Sequence, residues 1–189
     1  MSPFEYVIVL ISIILGLGIT LVLTGIAELI RKWNAIKIFW PYLIWIGLVF
    51  VLHIHEWWVT YELKSITVWS LPTFLFVVLY PIVLFILANL LFPSKWKSEE
   101  INLQDYYFKT YPTFFFFAIL LDVIAVIQNI TLSGYTLEDQ LIHMVVLVIL
   151  AGLLIKKNQN VVLHSVVAFI LLMMMLISLI VTSDSLLIQ

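Results

Sequence analysis

Residues 43–58 read LIWIGLVFVLHIHEWW. From Leu43 to Leu52 no side chain is ionisable; His53, His55 and Glu56 then follow at once, backed by Trp57 and Trp58. In a water-soluble chain such a run is a buried core helix. The composition decides otherwise. Of the 189 residues 64% are hydrophobic and only 11% charged, and the mean hydropathy is +1.18. Soluble domains are about 45–50% apolar and about a quarter charged, so the stretch reads as a membrane span. Ionisable groups within a span are expensive and mark function by default.

Working outward, a span needs roughly 20 mostly apolar residues to cross about 30 Å of hydrocarbon. Six segments meet or approach this, at about 4–30, 38–60, 69–92, 112–131, 140–156 and 160–182. Unpaired backbone groups are not tolerated against lipid and no barrel-type alternation is present, so the spans are expected to be helices. The expected fold class is therefore all-α: one integral membrane bundle of about six transmembrane helices filling residues 1–189. No basic n-region precedes the first apolar segment, which is expected to remain as a span.

Basic residues set the expected orientation. Arg31, Lys32 and Lys37 fall between spans 1 and 2, Lys95, Lys97 and Lys109 between 3 and 4, and Lys156 and Lys157 between 5 and 6. The other side holds only Lys64. Positively charged loops stay cytoplasmic, which puts both termini outside. In the connection 94–111, Ser98-Glu99-Glu100 resembles a helix start. Tyr106, Tyr107, Phe108 and Tyr111 then predict a short helix lying in the cytoplasmic interface.

In span 1, Ser12, Gly16, Thr20 and Thr24 recur every fourth residue, with Glu28 after them and Gly18 and Gly25 close by. Small residues let another helix approach and hydroxyls bond across the contact. This seam is expected to pack helices, within the protomer, in a homo-oligomer or against a membrane partner.

The opening FEYVIVLISIILGLGITLVLTGIAELI resembles the first span of a family of small, uncharacterised bacterial polytopic membrane proteins. LQDYYFKTYPTFFFFAILLDVI, from Leu103 to Ile124, is similar in style to the region before and through their fourth span. The resemblance implies a bacterial inner-membrane address and carries no activity.

The candidate site is a set of intramembrane polar residues. At about 1.5 Å per residue His53 lies roughly 22 Å from the start of span 2, in the outer half. Helical spacing puts His53, Glu56 and Trp57 on one face and turns His55 nearly opposite, towards the outer interface with Glu62. Asp122 stands midway along span 4, with Ala118, Ala125 and Asn129 on its stripe, and His143 lies in span 5. His53, Glu56, Asp122 and His143 are thus candidates to relay a proton or bind an ion or small ligand, since imidazoles titrate near neutrality. His53 and His143 also offer a metal or haem pair, although neither H-x-x-x-H nor H-E-x-x-H occurs. His164 reads as interfacial packing, and Tyr80-Pro81 predicts a kink in span 3. A shift of about 90 residues lays His53 on His143 and raises an inverted repeat.

Several function classes drop out. There are no cysteines, so disulfides and thiolate chemistry are excluded. The net charge of −2 offers no basic patch for nucleic acid. No G-x-S-x-G or phosphate-binding loop appears, so an enzyme is not the expectation. The leading expectation is a transport or channel-like module for a proton, ion or small solute. A non-catalytic scaffold or partner subunit is the first alternative, and a haem- or divalent-metal-binding redox protein is the second.

Overall fold

The computed structural model describes residues 2–66, 68–93 and 101–183. It is an all-α bundle. Its helices are α1 (Pro3–Arg31), α2 (Trp40–Val59), α3 (Leu71–Leu90), α4 (Leu103–Leu132), α5 (Leu141–Lys156) and α6 (Val161–Ser183). Six helical segments are long and apolar enough to cross a membrane, and the chain is a multi-pass membrane protein. Arg31, Lys109 and Lys156 lie at one end of the bundle, called here the basic end. There the short strands β1 (Ile36–Lys37) and β2 (Ile101–Asn102) pair in parallel.

Helix edges have local causes. Ser2 and Glu5 form a reciprocal capping box at the start of α1. The Ser70 hydroxyl accepts from the Thr73 N–H at the start of α3, and the Asn102 carboxamide accepts from the Gln104 N–H at the start of α4. Pro81 cannot donate to the Val77 carbonyl one turn earlier. Gln128 of α4 compensates: its Nε2 donates to the Phe76 carbonyl at 2.7 Å and reaches the Val77 carbonyl at 3.5 Å. The proline therefore sits inside a continuous α3 that is cross-tied to α4.

One expectation is corrected. No separate interfacial helix precedes span 4 among the described residues; 94–100 lie outside them, and α4 runs unbroken from Leu103 through Pro112 to Leu132. The reason is packing. Tyr107 and Tyr111 are buried rather than interfacial. With Phe39, Phe108 and Phe115 they form a ring cluster that carries the helix directly into the bundle.

The helices form an asymmetric ring. α2, α3, α4, α5 and α6 surround a central cavity, and α1 lies outside it, along α3 and α2. α5 and α6 touch only sparsely. The packing does not repeat between halves, because α1 runs along α3 whereas α4 meets α6 mainly around His164 at the basic end.

The buried face of α1 is Val7, Ile11, Leu15, Gly18, Val22, Gly25 and Leu29. At Gly18 an added Cβ would collide with the His53 imidazole, and at Gly25 with the Phe92 ring. The seam expected from the sequence lies elsewhere. Gly16, Thr20 and Thr24 are exposed and Ser12 is half-buried. Nothing stands within 4 Å of a Cβ placed at Gly16, and the Thr20 hydroxyl donates to the Gly16 carbonyl of its own helix at 2.8 Å. A strict four-residue step advances about 40° around a helix each time, whereas alternating steps of three and four hold one face.

Candidate functional site

The cavity has a volume of about 220 Å³. Its floor, towards the basic end, is apolar and aromatic: Trp45, Leu87, Phe114, Leu150 and Leu171. Below that floor an aromatic plug closes the bundle. His164 is its centre, wholly buried, stacked on Phe115 and edge-on to Tyr107, Phe108 and Tyr111. A carbonyl only accepts, so the ring's Nε2–H donates to the Asn158 carbonyl at 2.7 Å. Nδ1 pairs with the Tyr107 hydroxyl at 2.7 Å. His164 is thus a saturated, buried histidine that packs the basic end of the bundle.

The polar groups of the cavity lie in its middle and in the half away from the plug. His143 Nδ1 and Asp122 Oδ1 stand 2.6 Å apart and tie α5 to α4. The Asp122 side chain is 14% exposed and that of His143 32%, so the pair is accessible from the cavity yet shielded. With Nδ1–H directed at the carboxylate, Nε2 is left as the ring's proton-accepting nitrogen, the tautomer that a carboxylate partner selects. The second carboxylate oxygen, Asp122 Oδ2, is enclosed and makes no hydrogen bond. So is His55 Nε2, on the α2 wall. Tyr80 of α3 also lines the cavity. Ser178 of α6 also belongs to the polar lining, and among the described residues no Lys or Arg contributes to it.

The four candidate residues divide. Asp122 and His143 come together in direct contact. Glu56 is half-buried and does not line the cavity. His53 faces away: its Nδ1–H donates to the Val49 carbonyl at 2.7 Å, and Nε2, without a hydrogen-bond partner, is pressed against Gly18 of α1. His53 and His143 therefore do not converge on a shared metal or haem iron, since one packs against α1 and the other bonds within the cavity. Among the described residues no three His, Asp or Glu side chains are grouped as a metal ligand set.

His55, Tyr80 and Ser178 are the lining residues that sequence reasoning missed. Residues two apart on a helix take nearly opposite faces, so the two histidines could be separated but not assigned. The missing signal was Gly18, whose bare backbone receives the His53 ring on the side away from the cavity.

The chain matches no family model, no curated protein and no solved structure.

Proposed function

We propose that this protein is a small transport or channel-like module that handles a proton or small cationic solute in its central cavity. One observation carries the reading: a carboxylate–imidazole pair spans two helices on the wall of a cavity to which, among the described residues, no Lys or Arg contributes. Intramembrane ionisable groups of this kind mark ion and proton pathways. The asymmetry supports it further, with polar groups gathered away from the plug and an aromatic barrier at the basic end. In the proposed cycle His143 Nε2 and Asp122 Oδ2 take up the proton or cation from the polar side, and rearrangement of the plug releases it past Tyr107 and His164. The concentration of Arg and Lys at the plugged end supports placing that end in the cytoplasm and both termini outside, in a bacterial inner membrane.

The test is proton flux into liposomes that carry the full chain and an entrapped pH dye. Asp122→Asn leaves the shape and removes the charge, and it is expected to abolish flux while detergent-solubilised protein stays monodisperse. Liposomes that stay tight with the wild-type chain under both pH and potassium gradients would turn the assignment to the scaffold alternative.

A further inference from the structure

We infer that the cavity's ligand is a small amphipathic organic cation, a protonated amine with a short apolar group, and that it enters from the bilayer between α5 and α6. This rests on the reading that the cavity is the working site and narrows its substrate class.

The polar pole sets the head group. Asp122 Oδ2 is a buried acceptor without a donor, and an ionised carboxylate can only accept. Its sister oxygen is held by His143, so the free oxygen is fixed in direction. Among the described residues no Lys or Arg lines the space. A head that brings N–H donors and positive charge answers both features; a carboxylate or phosphate head meets the wrong sign.

The rest of the wall sets the tail. Leu48, Leu121, Leu150 and Leu171 make the space away from the polar pole apolar. The volume of about 220 Å³ falls below the roughly 300–1,000 Å³ of drug-sized clefts, which limits the tail to a few carbons.

The route follows from the packing. α5 and α6 are the neighbouring walls with least mutual contact. On those two helices the cavity lining includes Ile142, Val146, Met174 and Met175, apolar side chains of which the methionines adapt readily to a passing group. The basic end, by contrast, is closed by the plug.

The experiment is equilibrium binding of n-hexylammonium to the full chain in nanodiscs of neutral phosphatidylcholine, with empty discs as the blank. n-Hexanol and hexanoate serve as neutral and anionic counterparts. Saturable binding of the ammonium alone is expected. A lost charge-assisted hydrogen bond should weaken it at least about tenfold in Asp122→Asn. Ala118→Phe fills the space from one helical turn away while keeping both members of the Asp122–His143 pair, and is expected to abolish binding even if Asp122→Asn misfolds. Equal binding of hexanol, or ammonium binding that survives Ala118→Phe, would overturn the inference. Flux separates it from the transport reading. Specific hexylammonium binding with tight liposomes keeps the ligand class and removes transport; Asp122-dependent proton flux without hexylammonium binding does the reverse.

Discussion

At the scale of single residues, Gly18 does more to organise the bundle than any charged group. Its missing side chain is the space that the His53 ring occupies, which turns α2 so that His55 faces the cavity. Gly18→Ala forces the ring or the helix to move. Overpacking of this kind costs about 1–3 kcal/mol, readable as earlier unfolding in a denaturing-detergent titration. In a His53→Ala background the same change should cost much less, because the colliding atoms are gone. Equal penalties in both backgrounds would mean that the contact does not set the α1–α2 spacing. The sequence carried this only in part. The helical period separated His53 from His55, but the choice between them depended on which partner helix supplies a glycine, and that is a tertiary fact. Asp122 and His143 were legible because a carboxylate and an imidazole in separate apolar runs each need a partner.

At the scale of elements, α3 and α4 show how a mid-membrane proline is made tolerable. The Gln128 carboxamide donates to the Phe76 carbonyl and reaches, at the limit of bonding distance, the Val77 carbonyl that Pro81 leaves free. Gln128→Leu removes it and leaves carbonyl oxygen unpaired in apolar surroundings, a loss of about 1–3 kcal/mol to be checked by thermal unfolding in detergent. In a Pro81→Ala background the backbone N–H returns to the Val77 carbonyl and the same mutation should cost less. An undiminished penalty there would show that Gln128 serves some other contact. Apart from α4, the observed helices begin and end within one or two residues of their expected edges, because apolar run length and flanking proline or polar residues fix them. What the sequence did not separate was interface from interior for Tyr107 and Tyr111. An aromatic residue suits the headgroup region and a packed ring cluster equally well, and only the neighbouring helices choose.

At the scale of the whole molecule, the bundle is two-sided: rings packed solid around His164 at the basic end, a polar-lined space beyond them, and α1 set outside the ring of five. No periodicity within one span predicts that, since the cavity is made by what five helices leave unfilled. The same layout gives the protein an optical handle. Of its seven tryptophans, Trp45 is only 5% exposed and lines the cavity, while Trp33, Trp40, Trp57 and Trp58 are about half exposed, nearer the bundle ends. A chain that keeps Trp45 as its sole indole therefore fluoresces from inside the chamber. Its emission should resist quenching by aqueous acrylamide and move to shorter wavelength when Ala118→Phe displaces the chamber's contents. An unmoved spectrum would mean that the indole senses only the rings of Phe114 and Phe115 beside it. With a shift, filling and emptying can be followed in real time with no label attached.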